Sequence, residues 1–356
     1  MLTSNQVFAP VSPLWCNIRV RLNQSNVCAN IQYVTVDFGV FPYNTRHHSN
    51  ECENIVMLIR KTILSALLFV LHTVVLAGTL GIATGRETGT YYRFGEDMKR
   101  IAATENVDLR VYPSKGSVQN LVALYERNNL HLAISQVDVL FFMERLGNTD
   151  EKKLVSAIRV VLPLYTEEVH LVARKGIGRF SDLTGKHVAV GEEGSGTAIT
   201  AQTLFALTNV EPAQMAWLEA DQAVEALLNG KIDAVIIVAG SPMKLLQQKL
   251  LADADIGLIS LEEEAFQELY GPPVRIPAGT YEWQDSEVRT LGIMSLLVTL
   301  NLAADSKACE EIRRLSGVVT RDIAWLISNG HEKWAQVNFD YSVDEPNRSL
   351  CSNLFR

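Results

Sequence analysis

Small residues and hydroxyls recur in this sequence where short apolar runs end. The segment ATGRETGTYY, residues 83–92, places two glycines and three threonines directly after an apolar run and directly before a helix-like pattern. Glycine lets a backbone approach a bound molecule closely, and hydroxyl groups add hydrogen-bond donors. The segment could therefore hold a polar small molecule, or it could simply begin a helix.

Four further segments are built from the same materials: PSKGSVQN at 113–120, SQVD at 135–138, GEEGSGTA at 191–198 and VAGSPM at 238–243. Each follows a strand-like run and precedes a helix-like one. In a doubly wound sheet such junctions share the carboxyl edge of the strands, where α/β proteins bind ligands. Each also presents a helix N-terminus, whose unpaired N–H groups suit a carboxylate or a phosphate.

Within GSGT, Gly194 and Gly196 allow close approach, and Ser195 and Thr197 add hydroxyls to the free amides. The alternative is that Ser195 or Thr197 only caps a helix. GSPM has the same ambiguity, because a serine N-cap followed by proline at the first helical position starts a helix with no further role. Several such junctions together favour a shared binding cleft.

The elements that must position these junctions alternate along the chain. Apolar runs of four to six residues alternate with amphipathic stretches, which is typical of a parallel sheet with crossover helices and predicts the α/β class. Helical spacing relates Phe94, Met98, Ile101 and Ala102. The predicted strands are TLGIAT, DLRVYP, HLAIS, HVAVG, DAVIIVAG and DIGLIS.

Two longer apolar strands, around 157–174 and 288–300, are predicted to cross between two lobes. Lobe I then comprises 78–164 plus 289–356, lobe II comprises 165–288, and the cleft lies between them. The alternative is a single large sheet.

The N-terminal part carries a targeting signal. Arg60 and Lys61 precede an apolar run from Ile63 to Ala77, and this is the layout of a secretory signal peptide over 57–77, cleaved after Ala77. The run is shorter than the ~20 residues that span a bilayer, although a membrane anchor is the alternative. Residues 1–56 are then an over-extended N-terminus in front of a start at Met57, or an unstructured extension.

Composition excludes several classes of protein. The 356 residues are 47% hydrophobic and 20% charged, as in a globular protein, and the net charge of −8 argues against nucleic acid as a partner. Cys309 and Cys351, the two cysteines of the mature part, could pair in an oxidising periplasm or remain free. No metal-binding spacing and no cofactor motif is present in the sequence.

Enzyme motifs are not matched. Ser195 lacks the G-x-S-x-G elbow, and the histidines are scattered. An enzyme using Ser195 with Glu193 as a base remains an alternative function.

The segments IATGRETGTYYRFG, KGSVQNLVALYE, LAISQVDV, LPLYTEEVHLVAR, DLTGKHVAVGEEGSGTAITAQTLF and RIPAGTYEWQD together resemble the TAXI family of solute receptors of TRAP transporters. The resemblance covers nearly all of residues 80–300. It implies a periplasmic receptor with the two-lobed type II binding-protein fold, without catalysis or cofactor. Such a receptor closes on an anionic or zwitterionic solute, such as glutamate or 2-oxoglutarate, and delivers it to the TRAP membrane subunits.

The resemblance also implies which positions contact the solute. Lobe I supplies Thr88, Thr90, Tyr91, Ser117 and Gln136, and lobe II supplies Ser195, Gly196, Thr197, Gly240 and Tyr281. For Tyr281 the alternative is an aromatic side chain that closes the cleft wall.

Three residues depart from the family pattern. The first loop is usually richer in glycine, and here it contains Arg86 and Glu87, while Trp283 stands where a glycine is common. Arg86 could pair with a solute carboxylate or with a neighbour on the rim.

The mature protein is expected to be monomeric. A receptor domain that signals to a membrane partner is the second alternative function.

Overall fold

The computed structural model describes residues 19–20, 36–37, 79–248, 251 and 254–355. The chain divides into two compact units, Met1–Val75 and Leu76–Arg356. In the first unit the strands Arg19–Val20 and Val36–Asp37 pair in antiparallel fashion. The predicted signal peptide at 57–77 and the rest of the predicted extension at 1–56 lie outside the described residues.

Strands and helices alternate through the described part of the second unit. Its strands are β1 (Thr79–Ala83), β2 (Asp108–Tyr112), β3 (Leu132–Gln136), β4 (Ile158–Arg174), β5 (His187–Ala189), β6 (Gln214–Ala216), β7 (Ala234–Ala239), β8 (Ile256–Ile259), β9 (Val274–Ile276), β10 (Val288–Thr290) and β11 (Gly292–Leu300). Its α-helices are α1 (Thr90–Ala102), α2 (Ser117–Glu126), α3 (Val137–Arg145), α4 (Thr149–Ala157), α5 (Gly196–Thr208), α6 (Ala220–Leu228), α7 (Glu264–Tyr270), α8 (Lys307–Arg321) and α9 (Ile323–Asn329). Short 3-10 helices lie at Ala103–Glu105, Phe180–Leu183, Glu332–Gln336 and Glu345–Asn347.

The main sheet contains two groups of parallel strands with the same internal order. The first half runs β2, β1, β3, β11 and then the N-terminal part of β4, and only β1, β2 and β3 are parallel to one another. The second half runs β6, β5, β7, the C-terminal part of β4 and then β8. The strands of each half therefore lie in the same order. The second strand along the chain comes first, followed by the first, the third, a strand that enters from the other half (the incoming strand) and the fourth. The repeated arrangement of strands and helices in two halves confirms the predicted fold class, an α/β fold of the type II periplasmic binding-protein kind.

The incoming strands are the two long apolar segments predicted from the sequence. β4 pairs with β11 up to Glu168, which lies opposite Gly292. From Glu168 onward β4 pairs with β7, and Glu168 there lies opposite Ala239. Strand pairing is thus continuous from one half to the other, and Glu168 marks the crossing. The division into lobes at 164/165 and 288/289 stays a prediction.

Apolar helix faces cover both sides of each half. In α1 the stripe predicted by helical spacing is buried, including Phe94, Met98 and Ala102 at 0% exposure. Along β4, Leu171 packs into one cluster of the second half and Val172 into the other, as the alternation of side chains across a strand requires. The resulting helix–sheet–helix layers leave the strand ends free to build a site.

A disulfide and an aromatic stack hold residues of the C-terminal segment, from α8 onward, in place in the first half. Cys309 of α8 and Cys351, candidate partners in the sequence, form a disulfide. Trp334, from the 3-10 helix Glu332–Gln336, stacks on Phe94 of α1 with ring centroids 4.1 Å apart. The buried face of α8, Trp334 and Cys351 therefore belong to the same core cluster as β1 and α1.

None of the helices in the described part of the chain combines the length and the hydropathy needed to cross a bilayer.

Candidate functional site

A cavity of about 170 Å³ lies at the carboxyl ends of the parallel strands, where the two halves of the sheet meet. Both halves contribute to its lining. The first half provides Gly85, Arg86, Gly89, Thr90, Tyr91, Lys115, Gly116, Ser117, Gln136 and Glu167. The second half provides Gly191, Glu192, Ser195, Gly196, Thr197, Leu218, Glu219, Ala220, Ala223, residues 235–239 and Met243. The first half is thus the more polar side, and β7 with its neighbours forms an apolar wall.

The cavity brings together seven of the ten residues that the sequence singled out. They are Thr90, Tyr91, Ser117, Gln136, Ser195, Gly196 and Thr197. The remaining three, Thr88, Gly240 and Tyr281, are described by the structure but are not among the lining residues. Contact of any of the ten with a solute stays a prediction.

The three outlying residues have other surroundings. Thr88 is exposed in the turn before α1. Gly240 is buried, and a Cβ there would lie 2.8 Å from Lys333 Cε. The Tyr281 hydroxyl accepts a hydrogen bond from the Met243 amide (3.1 Å) and lies 2.8 Å from His170 Nε2. Because Met243 lines the cavity, Tyr281 supports the wall from behind.

His170 completes the support behind Tyr281. Its Nδ1 lies 3.0 Å from the carbonyl oxygen of Glu168, so Nδ1 donates there and Nε2 accepts from the Tyr281 hydroxyl. Burial lowers the pKa of His170 to about 4. The imidazole is therefore neutral at pH 7, as an acceptor at Nε2 must be.

The GSPM segment does not start a helix. The Ser241 amide donates to Glu168 Oε2 at 2.6 Å, and the Met243 amide donates to Tyr281. Side chains therefore hold the amides that a first helical turn would have left free, and residues 241–248 form bends and turns. The prediction that a helix starts at this junction is therefore wrong.

The Ser117 and Thr197 hydroxyls of the cavity lining form hydrogen bonds with residues at the ends of neighbouring strands. Ser117 Oγ donates to Gln136 Oε1 (3.1 Å) and accepts from the Gln136 amide (3.1 Å). Thr197 Oγ1 accepts from the Val238 amide at 3.1 Å. These bonds fix the side chains in place and join helix starts to the ends of β3 and β7.

Ser195 serves as a helix cap. Its Oγ accepts from the Ala198 amide at 3.1 Å. Within the described residues no His, Asp or Glu side chain hydrogen-bonds to Ser195 Oγ, and Glu193 is exposed outside the cavity lining. The arrangement of nucleophile and base that acyl transfer uses is therefore not assembled around Ser195.

Most helices that start at the cavity lack a side-chain cap. Gly89, Gly116, Gln136 and Glu219 are the N-cap residues of α1, α2, α3 and α6, and none of their side chains accepts from a first-turn amide. Away from the cavity, by contrast, Asn148 caps α4 and Ser306 caps α8. Two first-turn amides already donate elsewhere, Gln119 to the Gly194 carbonyl (3.1 Å) and Gln222 to Asp221 Oδ1 (2.9 Å). The first-turn N–H groups that have no other partner are donors for an anionic group.

Tyr91 and Glu167 form a buried pair on the first-half side. The Tyr91 hydroxyl donates to Glu167 Oε2 at 2.6 Å. Burial, and then the charge of Glu167, raises the pKa of Tyr91 well above its ordinary value, so the hydroxyl keeps its proton. Burial raises the pKa of Glu167 to about 8, and the Tyr91 bond only partly offsets this.

Ion pairs close the rim between the two halves. Arg86 donates to Glu192 Oε1 from Nε (3.0 Å) and from an Nη (2.6 Å), and it also pairs with Glu219. Lys115 Nζ lies 3.6 Å from Glu192 Oε2. Of the two roles considered for Arg86, the structure shows the pairing with rim neighbours, which come from the other half; Glu87 is exposed beside it.

Reversing one rim charge tests whether these pairs hold the halves together. Glu192→Lys would set a cation against Arg86 and Lys115, and we expect it to weaken solute affinity about tenfold, or ~1.4 kcal/mol. The matched control is Glu193→Lys, which makes the same charge change one residue away at an exposed position. Titration calorimetry on both variants measures the effect, and equal losses in the two would contradict a specific role for the rim.

A second buried ion pair lies where β4 crosses between the halves. Lys333 Nζ donates to both carboxylate oxygens of Glu168, at 2.7 and 2.9 Å, and to the Thr166 carbonyl at 3.2 Å. Lys333 is 1% exposed and Glu168 is 7% exposed. Burial raises the pKa of Glu168, and Lys333 counteracts that rise.

Sequence reasoning missed Glu167, Glu219 and Met243 as lining residues. Glu167 lies inside a long apolar strand, where the pattern indicated only a crossing segment. Glu219 follows an element without a glycine–hydroxyl signal, and Met243 ends the VAGSPM segment, of which the predicted site included only Gly240. The described residues contain no group of three or more His, Cys, Asp or Glu arranged to hold a metal ion.

Comparisons with known proteins match this chain to one family and to several solved structures. Residues 82–310 match the model of the NMT1-like family. The fold is similar to Tv2483 bound to L-arginine, with a TM-score of 0.47 and 12% identity over 77% of this chain and 98% of that one. It is also similar to the substrate-binding protein of an amino acid ABC transporter (TM-score 0.44, 12% identity, 72% and 100% covered). An arginine transport periplasmic binding protein from Legionella pneumophila gives a TM-score of 0.41 at 14% identity, with 69% and 93% covered.

Proposed function

We propose that this chain, which belongs to the NMT1-like family, is a solute receptor that closes on a small anionic or zwitterionic molecule. The observation that carries the proposal is the cavity itself. It lies between two similar halves, and residues from both halves line it. A binding protein that encloses its ligand by closure needs this arrangement.

The chemistry of the lining favours a carboxylate-bearing solute. The first turns of α1 and α2 begin at Gly89 and Gly116, both of which line the cavity, and neither has a side-chain cap. In α2 the Gln119 amide already donates to the Gly194 carbonyl, so the amides before it are the ones offered to the solute. Their N–H groups and the partial positive charge of the helix ends attract an anionic group. The apolar wall formed by β7 and Met243 would contact the hydrocarbon part of the solute. Amino acids such as glutamate and carboxylates such as 2-oxoglutarate are the solute classes proposed.

Closure would involve lobe I (78–164 plus 289–356) and lobe II (165–288). Arg86, Lys115, Glu192 and Glu219 would hold the closed form across the rim. We further propose that the closed form is read by TRAP membrane subunits, as the TAXI resemblance implies. In this proposal the signal peptide at 57–77 directs a monomeric mature protein to the periplasm, where Cys309 and Cys351 can remain joined.

A thermal-shift panel tests the proposed function. Amino acids, monocarboxylates and dicarboxylates are added to the purified protein, and at least one is expected to raise the melting temperature, because a ligand at 100 times its Kd stabilises by ~2.7 kcal/mol. The methyl ester of each stabilising solute is the matched control, since it lacks the carboxylate that the helix N-termini would bind. If no solute stabilises, or if the esters stabilise equally well, the proposed solute class is wrong.

A further inference from the structure

Glu167 is an acidic side chain without a cationic partner inside the cavity. It is 4% exposed, and it lies on β4 one residue before the crossing at Glu168. The Tyr91 hydroxyl donates to its Oε2. In the part of the chain that the structure describes, Glu167 forms no ion pair with a Lys, Arg or His side chain. The ammonium group of the neighbouring Lys333 forms its ion pair with Glu168.

Both cationic side chains that line the cavity already form ion pairs with acidic side chains. Arg86 pairs with Glu192 and Glu219, and Lys115 lies against Glu192. With two cationic and three acidic side chains, the lining has a formal charge of 2 − 3 = −1 when Glu167 is ionised. A purely anionic solute would therefore find an acidic side chain inside the cavity and no unpaired guanidinium or ammonium group in the lining.

A second polar atom in the same cavity is a donor without a partner. Gln136 is 3% exposed, and its Oε1 accepts from Ser117. Among the described residues nothing accepts a hydrogen bond from its Nε2. A buried amide donor without a partner destabilises a site by roughly 1–3 kcal/mol, and a solute carboxylate oxygen would satisfy it. The cavity therefore offers one unsatisfied donor and one unpaired acid.

We propose that Glu167 binds the ammonium group of the solute while Gln136 and the helix N-termini bind its carboxylate, so that the ligand is a small α-amino acid zwitterion. This inference rests on the proposed function and selects one of its two solute classes. The cavity of about 170 Å³ is below the ~300–1,000 Å³ of most ligand pockets, which fits a solute of this size. A buried carboxylate bonded to an ammonium group is stabilised when both are also hydrogen-bonded.

Binding in this mode releases a proton. Because the pKa of Glu167 is raised to about 8 by burial, the empty site holds the neutral acid at pH 7. The ammonium group of the solute binds the ionised form, so the carboxyl proton passes to the buffer and one N–H···O bond forms. Binding at pH 7 therefore releases protons, because pH 7 lies below the pKa of Glu167 in the empty site.

The groups around Glu167 do not supply this proton. Tyr91 of α1 and Tyr165 of β4 have pKa values raised well above the ordinary range by burial. Asp138 of α3 has a pKa raised to about 6 by burial and is already ionised at pH 7 and above. Glu168 and Lys333 are bonded to each other behind the site. Between pH 7 and 9, Glu167 is thus the acid facing the cavity that changes its charge.

The test is titration calorimetry of the wild-type protein with matched solutes. Each amino acid is compared with its deaminated analogue, for example alanine with propionate and glutamate with glutarate. We expect the amino acid that binds to be at least 100-fold tighter than its analogue. Titrations in two buffers of different ionisation enthalpy should show proton release at pH 7, and the affinity should rise between pH 7 and pH 8.5.

The Glu167→Gln variant keeps the shape of the side chain and removes its charge. We expect it to bind the amino acid about 100-fold more weakly and with no proton release, whereas Glu193→Gln, an exposed carboxyl outside the cavity lining, should match wild type in both readouts. If the deaminated analogue binds as tightly as the amino acid, or if affinity falls as pH rises, Glu167 instead donates to an anionic solute and the inference is overturned while the proposed function stands. If no solute of either kind binds, both are overturned.

Discussion

The Gly196→Ala variant is expected to lose solute binding by at least 100-fold while remaining folded. Gly196 is the first residue of α5, and it faces the first half across the cavity. A Cβ at this position would overlap the side-chain amide of Gln136 and would lie 2.8 Å from Ser117 Oγ. To remove this overlap, either the Gln136 side chain must rotate into the space where the solute would bind, or the two halves must move apart. Each movement removes the closed cavity.

The control for Gly196→Ala is Gly257→Ala in β8. Apart from its two neighbours in the chain, no described residue has an atom within 4 Å of a Cβ built at Gly257, so this variant should bind solute as wild type does. Calorimetric titration gives the affinities, and denaturant unfolding of the unliganded proteins shows whether the fold is retained. Wild-type affinity in Gly196→Ala would contradict a close approach of the two halves at this point.

The Lys333→Met variant is expected to be destabilised by about 3–5 kcal/mol, the usual effect of leaving one member of a buried ion pair alone. Methionine fills similar space but leaves Glu168, at 7% exposure, without its cation. The loss should be larger at pH 8 than at pH 5, because protonation of Glu168 removes the uncompensated charge. Urea unfolding at both pH values measures the free energy difference.

Two comparisons make the Lys333 result specific. Lys99→Met removes a lysine from an exposed pair with Glu96 (3.4 Å) and should change stability by no more than about 0.5 kcal/mol. Adding Glu168→Gln to Lys333→Met should recover much of the loss, since a neutral amide then replaces the unpaired carboxylate. A loss in Lys333→Met that is small, or that is unchanged by Glu168→Gln, would show that the pair does not anchor the crossing of β4.

The sheet could be predicted from sequence where strands are long and apolar. The predicted strands at DLRVYP and DAVIIVAG correspond to β2 and β7 within one residue at each end. The three-residue strands β6 and β9 were not predicted, because QMA and VRI are too short to show a period. Their place is fixed by neighbouring strands, which a local pattern does not contain.

The candidate site could be predicted in position but only partly in its contacts. Glycine and hydroxyl residues mark strand-to-helix junctions locally, so Ser117, Gln136 and Gly196 could be placed at one edge of the sheet. The pairing of Arg86 with Glu192 joins residues 106 positions apart, and nothing near Arg86 in the sequence indicates it. Glu167 was missed because its chemistry depends on burial and on Lys333 pairing with Glu168 instead, both of which are tertiary properties.

Hydrogen-exchange mass spectrometry with and without a stabilising solute tests the central claim most directly, since it locates the bound molecule and shows whether both halves hold it. The proposed function predicts that exchange slows together in peptides covering 85–92 and 115–120 of the first half and 191–198 of the second. Slower exchange in one half alone, or at segments away from the cavity, would contradict a receptor that encloses its solute between the two halves.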